Sequence, residues 1–363
     1  MRDDTHPLIA LRNFAQKVGD IRFHAEDFAK YVNKATYMVK HRLYPLANDG
    51  FIFYDTDSDT ITLNDKLYDF ISARIEKIDY DVIKLQSSTQ APTHNGILDL
   101  SSMDLTINGV PRIHLSDSQD VAIFPKKGQI VMRKNRHFDF AGVVDAGLFT
   151  FFGENYNFNY DEFKIKLDSI DSLRMKFQTD EKNMYGQAVL ARVENTINDL
   201  SGEILIDKPD NKSGKEYYPT YPKFESKQKS YIYYDHLFNG PYERENFYFE
   251  LHPFQMDSLD NFNPENLKFK GNFYSASIFP PFEETLKLRP DKSMGFVRHT
   301  PQEGYPLYEG KGKYFNQIDM SNKGLKGEGT LTYLTSRMET DDVLFFPDST
   351  TIHAGKFNIK ECL

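Results

Sequence analysis

Two periodicities divide this chain. From about Glu26 to Leu46, apolar residues Phe28, Tyr31, Val32, Ala35, Met38, Val39, Leu43 and Leu46 recur at helical spacing, which predicts one amphipathic helix. A second helix is predicted over "NDKLYDFISARIEKI", where Asn64 or Asp65 can cap the first turn and Leu67, Phe70, Ile71, Arg74 and Ile78 form the stripe. Between them, "GFIFYD" and "TITLN" are β-branched and aromatic runs separated by the four polar residues Thr56 to Asp59, the pattern of a hairpin. From about Asn95 the period falls to two. Phe163, Ile165 and Leu167 alternate with Lys164 and Lys166, and Phe247, Phe249 and Leu251 alternate with Tyr248, Glu250 and His252. Leu267 and Phe269 alternate with Lys268 and Lys270 in the same way.

"VAIFPKKGQIVM" reads as two strands around a Pro-Lys-Lys-Gly turn, and "GVVDAGLFTFFG" as two more. One exception is "EKNMYGQAVLARVENTI", whose Met184, Val189, Val193 and Ile197 suggest a short helix interrupted by Gly186. The polar, proline-containing stretch 207–230 reads as a surface loop or linker. The expected organisation is therefore a helical module with a hairpin at 1–82, a β-rich unit at 95–206, the linker, and a second β-rich unit at 231–363. Internal similarity favours this division: "FKIKLDSIDSLRMKF" resembles "FQMDSLDNFNPENLKF", with Asp168 and Asp257 as equivalent positions. A Leu followed closely by Gly also recurs near Leu200, Leu267 and Leu325. The fold class expected is mainly β, with stacked solenoid- or sandwich-like units behind a small α+β module.

Composition narrows the function classes. With 363 residues there is length for substantial cores, and aromatic residues reach 14% through 30 Phe and 22 Tyr, which favours strands. The net charge of -9 carries no basic block, which argues against a nucleic-acid partner. Helix, hairpin and helix in residues 1–82 resemble a winged-helix-like arrangement, but the wing would carry Asp55, Asp57 and Asp59 toward phosphates and repel them. The single cysteine, Cys362, allows neither an internal disulfide nor a cysteine zinc site. No run of about 18 apolar residues could cross a membrane as a helix, and the opening "MRDDTHPLIALRNFAQ" has no signal core. The final "KFNIKECL" stops inside an alternating pattern, so a segment of a longer protein is expected.

Motifs carry little chemistry. The three alternate aspartates fit positions 1, 3 and 5 of a calcium loop, but the required Gly and terminal Glu are replaced by Thr60 and Lys66, so a solvated turn is expected. "GYPLYEGKGK" has five residues rather than four between Gly304 and Gly310, and Gly312 stands where a phosphate loop needs Ser or Thr. "RIHLSDSQD" places His114, Ser116, Asp117 and Ser118 together, but triads are assembled from distant segments, and a strand ending in a turn is the simpler reading. No metal or cofactor is implied.

The most suggestive stretch is "YYDHLFNGPYERENFYFELHPFQMDSLD". Tyr233, Tyr234, Asp235, His236 and Arg244 are the candidate binding residues, with Glu245, His252, Asp257 and Asp260 nearby. Carboxylates among aromatic platforms are what a glycosidase or sugar-binding cleft uses, although the absence of Trp removes the largest stacking face. This stretch, "LKFKGNFYSASIFPPFEE" and "YFNQIDMSNKGLKGEGTLTYLTSRMETDDVLFFPDS" resemble large uncharacterised β-rich envelope or surface proteins of bacteria. The resemblance implies an exported segment located in the envelope or outside the cell, and carries no functional residues with it. The expected function is a non-enzymatic structural or binding segment with a protein or glycan partner. The alternatives are a polysaccharide hydrolase using acidic residues near 235–260, and a β-groove that carries lipid on a continuous apolar face.

Overall fold

The computed structural model describes residues 6–74, 79, 83–133 and 136–359. The chain forms two compact units: residues 1–82 with 209–215, and residues 83–208 with 216–363.

In the first unit the order is α1 (Pro7–Val18), β1 (Arg22–His24), α2 (Ala25–Tyr31), α3 (Thr36–Asn48), β2 (Ile52–Asp55), β3 (Thr60–Leu63) and α4 (Asp65–Arg74). Pro7 opens α1 where its missing N–H costs nothing, and Gly19 closes it in the left-handed conformation at φ 78°, donating to the Ala15 carbonyl. The stripe expected as one helix from Glu26 to Leu46 is two helices. After Tyr31 the chain reverses through Asn33 at φ 53°, and the Lys34 N–H returns to the Ala29 carbonyl, which ends α2. The hairpin is present as β2 and β3, with β1 added to its other side. Its turn explains the aspartates. Asp55 accepts from the Asp57 N–H at 3.0 Å and the Ser58 hydroxyl at 2.6 Å, and Asp59 holds Tyr54 at 2.5 Å and Lys40 at 2.9 Å. Ile78, the last residue of the expected second stripe, lies outside the described residues.

The second unit is built of β-strands, with short 3-10 turns at Leu237–Asn239 and Pro264–Asn266. Its strands are β4 (Gly96–Asp99), β5 (Asp104–Ile107), β6 (Ile113–Ser116), β7 (Val121–Met132), β8 (Phe138–Ala146), β9 (Phe149–Asn159), β10 (Lys164–Lys182), β11 (Ala188–Arg192) and β12 (Ile197–Leu205). They continue as β13 (Lys223–Ser226), β14 (Ser230–Tyr233), β15 (Phe247–Leu251), β16 (Gln255–Met256), β17 (Lys268–Ser275), β18 (Phe282–Leu288) and β19 (Met294–His299). The last are β20 (Tyr305–Leu307), β21 (Gly312–Ser321), β22 (Gly324–Tyr333), β23 (Ser336–Phe345) and β24 (Thr350–Ile359). Every pairing is antiparallel. The main path runs β4-β5-β7-β8-β9-β10-β12-β14-β15-β17-β18-β19-β21-β22-β23-β24, with the shorter strands attached at its sides. The strand order is that of a barrel wall. Among the described residues, however, no register joins β24 to β4, so the sheet has two ends.

Alternation along the strands sends one side chain in two inward, and those residues form a single core that includes Phe151, Phe224, Phe249 and Phe345. The expected division at 207–230 is therefore corrected. β13 and the start of β14 lie in that stretch, β12 pairs with both, and the core is shared by the strands before and after it. The helix expected around 181–197 is a hairpin instead. Asn183 accepts from the Tyr185 and Gln187 N–H groups, Gly186 takes φ 79°, and β10 pairs with β11. "VAIFPKKGQIVM" is a single strand, β7, in which Lys127 and Gly128 at φ 55° and 64° form a bulge against β8.

The structure explains the recurring Leu-then-Gly pattern. A Cβ at Gly202 would come within 2.7 Å of the Phe224 ring, one at Gly271 within 2.6 Å of Phe249, and one at Gly327 within 2.2 Å of the Tyr314 hydroxyl. Each glycine is thus the floor on which an aromatic ring from the neighbouring strand lies. The Asp168 and Asp257 equivalence is not structural: Asp168 lies inside β10, whereas Asp257 follows β16 in a loop.

Candidate binding face

Three neighbouring strands build the face. In β14, Ile232 points inward while Tyr231 and Tyr233 point outward, and Tyr234, the next residue, is again inward. In β15, Phe247, Phe249 and Leu251 enter the core while Tyr248 lies outside, and in β17 Phe269 and Phe273 enter while Tyr274 lies outside. Register then aligns the outer tyrosines, with Tyr233 opposite Tyr248 and Tyr248 opposite Tyr274. Ring centroids are 6.4 Å apart in the first pair and 4.8 Å in the second, where the planes meet at 28°. Tyr231 stacks beside Tyr233 at 5.9 Å and 17°. Four tyrosines from three strands thus form one aromatic surface.

Polar groups hold this surface in place. The Arg244 guanidinium lies 4.2 Å from the Tyr233 ring centre and its Nε donates to Asp235 at 3.1 Å. His236 Nδ1 is 4.0 Å from the same carboxylate. The Tyr233 hydroxyl donates to Asp199 at 3.1 Å, and burial together with that carboxylate pushes its pKa up to about 12. Lys229 donates to Glu250 at 2.8 Å, which raises the ammonium's pKa. Beside Tyr248 and Tyr274 a cleft of about 600 Å³ opens, walled by Pro280, Pro281 and Pro306 and rimmed by Glu245 and Glu309.

Of the five candidate residues, Tyr233, Asp235, His236 and Arg244 are brought together on this face. Tyr234 is not. It is fully buried and its hydroxyl donates to the Met294 carbonyl at 3.0 Å, so it belongs to the core. Tyr231, Tyr248 and Tyr274 were not among the candidates, although their outward alternation was visible in the sequence; the register that aligns them was not.

Of the acidic residues expected of a hydrolase, Glu245 rims the cleft but Asp257 and Asp260 do not. Asp257 accepts from Gln255 at 2.9 Å and faces Lys223 at 3.7 Å, while Asp260 lies in a turn where burial raises its pKa and, among the described residues, Oδ1 has no hydrogen-bond partner. Neither lines the tyrosine cleft or the larger polar cleft of about 1100 Å³ formed at the bulges of β7, β8 and β9. Among the described residues no group of three His, Cys, Asp or Glu side chains is arranged to hold a metal ion, and no helix is long and apolar enough to cross a membrane. No family model, curated protein or solved structure matches the chain.

Proposed function

We propose that this chain is a non-enzymatic structural and binding segment whose outer tyrosine surface docks a glycan or protein partner. The observation that carries this reading is the row Tyr233, Tyr248 and Tyr274 on three successive strands, with Arg244 stacked on its end. Half-exposed aromatic rings offer contact area at low entropic cost, and the flanking Asp235, Asn272 and Glu309 supply hydrogen-bonding groups. The carbohydrate-hydrolase reading has less support, because Asp235 and Asp257 are engaged by Arg244, Gln255 and Lys223 and, of the expected acidic residues, Glu245 alone rims the cleft. The lipid-groove reading has less support too, since the apolar face of the sheet is occupied by the chain's own aromatic side chains. An exported, envelope or surface location forms part of the proposal and rests on resemblance of sequence texture.

Binding to a glycan array and to immobilised surface-protein extracts tests the reading directly. The wild-type chain is expected to give a specific signal that Tyr233→Ala combined with Tyr248→Ala abolishes without shifting the melting curve by more than a few degrees. Equal retention by both proteins would contradict it.

A further inference from the structure

The apolar face of the sheet does not stop where its cover stops. One cross-strand row can be followed through paired residues from Leu98 on β4 to Leu105, Met132, Phe138 and Phe158, and on through Ile165 and Ile204 to Phe224. At the centre of this row Phe158 is fully buried and Phe138 is 1% exposed, but Leu105 is 36% and Leu98 51% exposed. The other end repeats the gradient. Tyr314, Leu331, Met338 and Phe357 are opposite one another from β21 to β24, and exposure rises from 0% at Tyr314 and 6% at Leu331 to 55% at Phe357. Ile359 and Leu334, at 67% and 83%, widen that second patch. Among the described residues both end strands also present an unpaired backbone edge, since β4 pairs with β5 alone and β24 with β23 alone. A flat edge with uncovered apolar side chains is a template for another strand.

The two edges complement each other. Along the main path directions alternate at every step, so β4 and β24 run opposite ways and a β24 edge meets a β4 edge in the antiparallel sense used throughout the sheet. Setting Leu98 opposite Phe357 keeps both on the apolar face. Counting from that pair, Asp99 then falls opposite Lys356, and Ile97 opposite Asn358. β24 holds a lysine and a histidine and no acid, whereas β4 holds an aspartate and no base. Like charges oppose the pairing of either edge with itself, and opposite charges favour the mixed pair.

We propose that β24 of one copy of this chain adds edge-on to β4 of a second copy, joining the two sheets head to tail. The contact is heterologous, so each added copy leaves the same two ends free and the assembly grows beyond a dimer.

Sedimentation of the purified full chain over a range of concentrations tests this, with far-UV circular dichroism and melting as controls for folding. The wild type is expected to associate into species larger than dimers. Leu98→Lys and Phe357→Lys, at positions more than half exposed, are each expected to remain monomeric while keeping the wild-type melting curve. Mixed together they are expected to form a dimer that grows no further, because one variant supplies an intact β24 and the other an intact β4. Asp99→Lys should weaken association about three- to fivefold, and adding Lys356→Asp should restore it. A wild type that stays monomeric at every concentration would overturn the proposal. So would a Leu98→Lys variant that still dimerises, which would indicate β24 paired with itself, or capture of an unrelated strand in place of a second copy.

Discussion

Tyr233 and Tyr234 are adjacent in the chain and lie on opposite faces of the same sheet. Tyr234 is sealed in the core against Phe247 and bonded to the Met294 carbonyl, while Tyr233 faces outward under Arg244. The residue type is the same and the position differs by one step, so the pleat alone decides which tyrosine enters the core and which faces outward. Both faces of β15 and β17 are aromatic, but inside Phe247 meets Phe273 edge-on at 89°, whereas outside Tyr248 and Tyr274 stack at 28°.

That contrast can be broken most strongly from inside. Phe249→Ala removes a fully buried ring and is expected to cost about 3–5 kcal/mol in urea denaturation, with no change in the outer tyrosines' binding until the sheet unfolds. Gly271→Ala is next. The new Cβ would lie 2.0 Å from the Glu250 carbonyl oxygen and 2.6 Å from the Phe249 ring, so the strands must shift, at about 1–3 kcal/mol by the same measurement.

A smaller effect concerns Asp260. Its carboxyl is raised above the ordinary range chiefly by burial, so its contribution to stability is fully present below the unfolded pKa and is lost as pH rises through the folded value. Asp260→Asn is therefore expected to be slightly more stable than wild type at pH 7. Melting curves recorded at decreasing pH should show the gap closing as pH falls through the raised folded pKa and gone below the usual aspartate pKa of about 4. The smallest effect is expected outside: Tyr248→Ala, which leaves the core intact, should change stability by no more than about 1 kcal/mol while removing the binding signal.

Much of this was legible from periodicity. The alternation at Phe163 to Leu167 and at Phe247 to Leu251 placed the buried positions, and the hairpin at residues 52–63 was readable from its polar turn. What failed was long-range or depended on single turns. The helical spacing of Met184, Val189, Val193 and Ile197 was overridden by Asn183 and Gly186 nucleating a hairpin, and the Asn33 reversal split an otherwise continuous stripe. Polar residues at 207–230 suggested a break between domains, but two of its short segments supply edges that β12 pairs with. Tyr233 and Arg244 were visible as a candidate pair, whereas the partnership of Tyr248 and Tyr274 depends on register between strands more than twenty residues apart.

The most direct test compares Tyr233→Ala with Tyr234→Ala by chemical denaturation under identical conditions. The account predicts that Tyr234→Ala loses about 3–5 kcal/mol and Tyr233→Ala no more than about 1 kcal/mol. Equal losses, or a larger loss at Tyr233, would contradict the assignment of the two faces.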